Sequence, residues 1–390
     1  MKKRTRLLHA GRNPTDHHGI VNPPVYHAST ILYATVADME AAGRAPFDGV
    51  TYGLRGTPTT FAFQDAVSEL EHGYRTIAVC SGLAAVTGPL MAFLKAGDHV
   101  LVPDSVYGPT RYFCDRKLSR FEIETTYYDP LAGAAIADQF QDNTRVLFME
   151  SPGSLTFQVQ DIPAMTAAAK EKGIVTIIDN TWSAGHFFQP LDLGVDVSIQ
   201  AATKYIGGHS DLMMGTITTT EETFLTVARG CDAVGFHAAP DDCYLALRGL
   251  RSLPARLAVH EQTALILATW LARCPQVKTV LHPALPSCPG HEIWQRDFTG
   301  SSGLFGFILQ DGTSKDAVAA MLDDMELFPM GYSWGGFESL IMTYGDSPKR
   351  AFGPWRAGQS GHLLRIHAGL EDPDDLIADL QRGMTRLNAG

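Results

Sequence analysis

Lys204 stands in the stretch SIQAATKYIGGHSDLMMG (198–215), directly after the apolar alternation Val195, Val197, Ile199 and among Ala201, Ala202, Gly207 and Gly208. An ammonium is costly to bury without a partner, so a lysine in such company needs a reason. Desolvation lowers its pKa and makes the amine a nucleophile able to form a Schiff base with a carbonyl. A strand-end lysine snorkelling to water fits the same residues. Asp179 closes the most apolar run of the chain, IVTIID (174–179), where it either caps the following turn or presents a carboxylate to a ligand. Tyr107, in DSVYGP after HVLVP (99–103), offers a ring face or is an ordinary loop aromatic. Ser81-Gly82-Leu83 follows TIAVC (76–80) and opens a helix, so its backbone N–H groups could hold a phosphate, or it is a plain strand-to-helix turn. Thr203 adds a hydroxyl donor beside Lys204. Each residue alone is ambiguous. Together they supply a nucleophilic lysine, a carboxylate for a pyridinium nitrogen, a stacking aromatic and a phosphate cradle, the parts that a pyridoxal phosphate site requires.

These residues need strands that end side by side. From about residue 58 the chain alternates strand-like and helix-like segments: TPTTFAFQDAVSELE has Pro in its first turn and apolar residues at helical spacing. A further helix runs from Ser81 to Gly97. The strand-like runs are TIAVC, HVLVP, EIETTYY (122–128), RVLFME (145–150), IVTIID, DVSIQ (196–200) and GTITTT (215–220), mostly separated by helical segments such as Asp161 to Lys172. The pattern predicts an α/β fold: a large domain built on a mainly parallel seven-stranded sheet covered by helices. In such sheets ligands bind at the carboxyl ends of the strands, where all four candidate groups fall. A long helical stretch (241–273), kinked near Pro254, leads to the runs VKTVLH, GLFGFILQ, SLIMTY and LLRIHAG with helices at about 313–325 and 373–388, which reads as a smaller C-terminal α+β domain. Residues 1–50, with Pro23 and Pro24 and few periodic signals, read as an arm over another surface, of the kind that oligomers use. The expected division is an arm (1–50), a large domain (51–240) and a C-terminal domain with its linking helix (241–390).

At 390 residues, the chain exceeds one ordinary core. Its net charge of −11 argues against general binding of nucleic acid or anionic membrane. No apolar stretch approaches transmembrane length, and the basic N-terminus lacks the apolar segment of a signal peptide. The six cysteines contain no CxxC pair, which suits reduced thiols in the cytoplasm. His17-His18 reads as solvated surface, and no metal site is expected.

IDNTW, SIQAATKYIGGHSD and ESPGS, with YGLRGTPT near the start and RIHAGLED near the end, resemble the cysteine/methionine-metabolism family of pyridoxal-phosphate enzymes (fold type I, aspartate-aminotransferase-like), along nearly the whole chain. Within it, SPGS (151–154), HPALP (282–286), RDFTGSSGLF (296–305) and YSWGGFESL (332–340) are similar to the carbon–sulfur β-eliminating members. Members acting at the γ-carbon tend to carry SPTNP and SLGG-type segments instead. The resemblance implies pyridoxal 5′-phosphate in a Schiff base on Lys204, which then shuttles the α-proton; Asp179 on the pyridine nitrogen; Tyr107 stacked on the ring and touching the substrate; and Gly82, Leu83 and Thr203 on the phosphate. It implies Arg365 clamping the substrate α-carboxylate with Ser333 and the Trp334 backbone. Tyr52 would reach the phosphate of a neighbouring subunit's cofactor and help activate the incoming amine, so the active unit would be a homodimer, two of which usually make a tetramer. The substrate class implied is an amino-acid thioether; the alternatives are a cysteine S-conjugate β-lyase or cysteine desulfhydrase, and a γ-acting sulfhydrylase. Two positions depart from the family pattern. Leu54 stands where a phosphate-binding arginine is typical; Arg55, the candidate cofactor-binding residue in its stead, comes one place later, where an extended strand would turn its side chain the other way. Asp232, in RGCDAVG (229–235), stands about where a tyrosine on the distal substrate side is common.

Overall fold

The computed structural model describes residues 1–345, 348, 350–353 and 361–387. Seven strands form one sheet: β1 (Arg75–Val79), β2 (His99–Pro103), β3 (Glu124–Tyr128), β4 (Thr144–Glu150), β5 (Val175–Asp179), β6 (Val197–Gln200) and β7 (Gly215–Thr219), in the order β1-β7-β6-β5-β4-β2-β3. β7 runs antiparallel to β1 and β6, and the other pairings are parallel. This is the expected sheet. The strand β2, HVLVP, is buried at every residue because helices cover both faces. The edge strand β3, ETTYY, is buried only at its last residue, and its polar side chains suit an edge.

A second, antiparallel sheet has the order β10-β11-β9-β8, formed by β8 (Val277–Leu281), β9 (Leu304–Leu309), β10 (Leu340–Thr343) and β11 (Leu363–His367). The helix Pro240–Leu271 joins the two sheets' cores. Its Leu247, Leu250 and Leu257 share a buried cluster with Phe63, Leu70 and Tyr205, and its Leu267 and Leu271 share another with Phe305, Phe307 and Leu376. Pro254 lies inside this single 32-residue helix and does not divide it.

Two sequence expectations shift, and one ends beyond the described residues. The first 50 residues contain the helices Lys3–His9 and Val36–Arg44; the second is capped by Thr35, whose hydroxyl accepts from Asp38 N at 3.1 Å, a cap signal that its weak periodicity concealed. The helix after Ser81 ends at Phe93, before Gly97, which takes a left-handed turn (φ +84°) further on. The C-terminal helix is Pro373–Leu387, and position 388 lies outside the described residues. Among the described residues no helix is long and apolar enough to cross a membrane, and all six cysteines are free.

Candidate active site

Parallel strands place their carboxyl ends along one edge of the sheet, and the loops leaving that edge build a cavity of about 360 Å³. The turn after β1 brings Ser81, Gly82 and Leu83; the loop after β2 brings Tyr107; β4 and β5 end on Glu150 and Asp179; and the loop after β6 brings Ala201, Thr203 and Lys204. Ser333 and Trp334, from the loop before β10, and Arg365, from β11, close the cavity. Lys204, Asp179, Tyr107, Gly82, Leu83, Thr203, Arg365, Ser333 and Trp334 thus meet in one place.

Lys204 Nζ donates to Ser333 Oγ at 2.5 Å and lies 5.4 Å from the centre of the Trp334 ring. Burial first, and then the neighbouring Arg365, pull its pKa down to about 8, against an opposing pull from Asp179. The amine is therefore held near the state in which it reacts. In the cofactor-free protein, labelling of Lys204 by a small acylating reagent is expected to rise with pH to a midpoint near 8. A midpoint at the ordinary lysine value would refute this environment.

Ser333 lies at φ +81°, a left-handed backbone that costs a non-glycine residue roughly 1–3 kcal/mol. That bend lets one residue serve two cations, for Arg365 Nη2 donates to the Ser333 carbonyl at 3.1 Å while Lys204 takes the hydroxyl. Gly335 allows the approach: at φ +88°, an added Cβ would stand 2.9 Å from Tyr205 N and 3.1 Å from Lys204 Cα. Gly335→Ala is accordingly expected to displace Lys204, with a fall of roughly tenfold or more in turnover and a lowered Tm. Wild-type values for both would exclude the packing role.

Asp179 Oδ1 accepts from Thr181 N at 3.0 Å and from Thr181 Oγ1 at 2.5 Å. Burial raises its pKa above the usual carboxylate range, and those bonds and Lys204 oppose the rise. Glu150 pairs in register with Asp179 across β4 and β5, and Glu150 Oε2 accepts from Tyr107 N at 2.8 Å. Burial, and then Asp179, push the Glu150 pKa well above its ordinary value, and its carboxyl fixes the Tyr107 loop by accepting from the Tyr107 amide. Burial, Asp179 and Glu150 also raise the Tyr107 phenol, which leaves a neutral ring facing the cavity.

The residues fit pyridoxal phosphate. A buried carboxylate facing a cavity calls for a cationic N–H, which a protonated pyridine nitrogen provides. Gly82 and Leu83 precede the first intrahelical bond, from Ala85 N to the Ser81 carbonyl, so their N–H groups point out of the helix start toward a phosphate. An added Cβ at Gly82 would stand 2.5 Å from Ala201 Cβ, so only glycine brings this helix start against the end of β6.

Two expectations are revised and one is left apart from the cavity. Thr203 lines the cavity, but its hydroxyl is already engaged, accepting from Met214 N at 3.0 Å and donating to the Met214 carbonyl at 3.2 Å. Arg55 is held within the chain by Asp232, through Nε at 3.1 Å and Nη2 at 3.2 Å, and the pair lines a separate small cleft. Gly53, Leu54 and Arg55 form a short 3-10 turn, not the extended strand assumed, and this carries the guanidinium to Asp232. Asp232 does not line the large cavity. Tyr52 is 45% exposed and also lies outside that cavity. Sequence reasoning passed over Glu150 and Thr181. Glu150 ends its strand as Asp179 does, and Thr181 stands two residues beyond Asp179, so both signals were in the spacing.

The family model described as Cys/Met metabolism PLP-dependent enzyme matches residues 4–385. A putative cystathionine beta-lyase of Rhizobium johnstonii is 48% identical over 389 residues, covering 99% of this chain and 96% of the relative. Cystathionine beta-lyase MetC of Escherichia coli is 44% identical over 389 residues, covering 98% of each. The crystal structure of metB from Corynebacterium glutamicum superposes with a TM-score of 0.90 at 28% identity, covering 99% of this chain and 98% of that one.

Proposed function

The chain belongs to the Cys/Met metabolism PLP-dependent enzyme family, and from that premise we propose that it is a pyridoxal-phosphate-dependent carbon–sulfur β-lyase that converts L-cystathionine and water to homocysteine, pyruvate and ammonia. The observation that carries the reading is the meeting of Lys204 and Arg365 on Ser333. It brings an amine and a carboxylate clamp onto one residue at the cavity wall, where an α-amino acid's two ends can be met together.

Pyridoxal phosphate, when bound, supplies an electron sink for the charge that develops at the substrate α-carbon. The protein supplies the rest. Arg365 holds the α-carboxylate with its planar fork, with Ser333 and the Trp334 backbone alongside. Lys204, with its depressed pKa, takes the α-proton, and the Ser333 hydroxyl keeps its Nζ in place. Asp179 keeps a proton on the pyridine nitrogen, and Tyr107 covers the ring. Loss of the β-thiolate releases homocysteine, and hydrolysis of the remaining enamine gives pyruvate and ammonia.

Arg365→Lys keeps the charge but loses the bidentate fork, so KM for the substrate is expected to rise by about tenfold or more with a smaller change in kcat. An unchanged KM would remove the carboxylate assignment. Pyruvate release from cystathionine, cysteine and S-alkylcysteines, with O-acetylhomoserine plus sulfide as the γ-acting control, tests the substrate. Negligible turnover of cystathionine beside a good rate on another thioether would overturn the preferred substrate and leave the β-lyase chemistry standing.

The active unit we infer is a homodimer, paired into a tetramer. The exposed apolar residues of the N-terminal segment, among them Leu32 at 90% and Val36 at 67%, support an arm that needs cover. We assign Tyr52, exposed and outside the chain's own cavity, the contact with a neighbouring subunit's cofactor. The six free thiols favour a cytoplasmic protein. We divide the chain at about residues 50 and 240, with one sheet on each side of the second boundary.

A further inference from the structure

Glu71 ends the helix Pro58–Glu71 and is fully buried, and no step above uses it. Its Oε1 accepts from Asn180 Nδ2 at 3.1 Å and also from Gln200 Nε2. Asn180 directly follows Asp179, and Gln200 is the last residue of β6, before Ala201. Side chains alternate along extended chain. Asp179, Thr181 and Ala201 line the cavity, while Asn180 and Gln200 between them turn the other way, to Glu71.

The same two segments are tied on the cavity side as well. Ala201 N donates to Thr181 Oγ1 at 2.9 Å, and that hydroxyl donates to Asp179 Oδ1. Behind them, Asn180 Nδ2 donates to the Phe188 carbonyl at 3.1 Å, and Ser183 Oγ donates to Asn180 Oδ1 at 2.5 Å. Lys3, from the N-terminal helix, closes the outer side through the carbonyls of Gly185 (3.2 Å) and His186 (2.6 Å).

We propose that Glu71 is a positioning residue for Asp179: from behind the cavity wall it holds Asn180 and Gln200, and through them the Asp179–Thr181 turn and the chain leading to Lys204. The assignment rests on the cofactor site and is independent of which thioether the enzyme cleaves. Without the Glu71 oxygen, two buried amide donors lose their shared acceptor, and the turn must shift to satisfy them. A glutamine keeps that acceptor, so it stands in for the protonated acid.

The charged and titratable groups around Glu71 are Lys3, which faces it, and Arg6, Asp192 and His186, which surround Lys3. Burial pushes Glu71 up to about 7, with the nearby Ser198 hydroxyl, the bonds from Asn180 and Gln200 and the charge of Lys3 opposing. A carboxyl raised in the folded state stabilises the protein at low pH and loses that contribution as pH rises through the folded value, here about 7.

The test compares wild type, Glu71→Ala and Glu71→Gln as cofactor-free proteins, titrated with pyridoxal phosphate and followed by tryptophan fluorescence. The pH titration of the bound cofactor's visible absorbance and the apoprotein Tm against pH are recorded in parallel. Glu71→Ala is expected to weaken cofactor affinity by about tenfold or more and to shift the absorbance midpoint. Glu71→Gln is expected to stay within about threefold of wild type and to flatten the fall in Tm between about pH 4.5 and 7. Wild-type affinity in the folded alanine variant overturns the proposal, as does a glutamine variant as weak as alanine. Should Glu71→Ala fail to fold, Gln200→Leu removes one of the two donors: a loss of about threefold or more supports the assignment, and unchanged affinity refutes it.

Discussion

Lys204→Ala is expected to abolish measurable pyruvate release, a loss of at least about 10³-fold, and to remove the visible absorbance of lysine-bound cofactor from the purified protein. The magnitude follows from the two roles that converge on one Nζ. In the proposed mechanism it anchors the cofactor and carries the α-proton, from a position next to Ser333 Oγ at 2.5 Å and the Trp334 ring. No other amine lines the cavity: the only other cation there among the described residues is Arg365, whose guanidinium does not give up its proton. The fold should tolerate the change, because the lysine's pKa of about 8 marks a charge that burial penalises. The variant should therefore be folded and inert. Wild-type pyruvate release from a folded Lys204→Ala protein would refute the assigned role.

Asp179→Ala carries the second largest expected effect, a fall in kcat of roughly 10²–10³-fold with weaker retention of the cofactor. A pyridine ring takes up electrons well only while its nitrogen is protonated, and a facing carboxylate holds that proton there. Burial raises the Asp179 pKa when the site is considered without its partner, which is the cost that a pyridinium N–H offsets. Asp179→Glu supplies the control, since it keeps the charge and moves it by one methylene. It should recover part of the rate and lower the pH of the absorbance transition relative to alanine less than wild type does. Alanine and wild type with equal kcat would remove the electron-sink role from Asp179.

Much of this site is legible in the chain because its parts belong to strand ends. HVLVP, IVTIID and DVSIQ are short apolar runs, and the residues that follow them must lie along one edge of a parallel sheet. That reasoning places Tyr107, Asp179 and Lys204 together, and it also holds for Glu150, which ends RVLFME and received no role. The small residues beside Lys204 have local causes too. An added Cβ at Gly207 would press on the Ala202 carbonyl at 3.2 Å.

What lies across the sheet or between the two sheets is not legible in this way. Spacing set Arg55 one place after the missing arginine at position 54, and the 3-10 turn through Gly53–Arg55 aims it at Asp232, 177 residues away. Thr203 has the right chemistry for a phosphate, but Met214 already holds its hydroxyl at 3.0 Å. Both outcomes depend on which groups compete for one donor, and that competition is decided by packing.

The sequence by itself determined the strand ends: Lys204, Asp179, Tyr107 and the Ser81-Gly82-Leu83 turn each follow or close a short apolar run that reads as a buried strand. The tertiary structure alone decided that Ser333 links Lys204 to Arg365 and that Glu71 stands behind Asp179. The physical reason is range. Burial and period are written into neighbouring residues, whereas a hydrogen bond between Lys204 and Ser333, 129 positions apart, exists only once the loop before β10 has packed against the loop after β6.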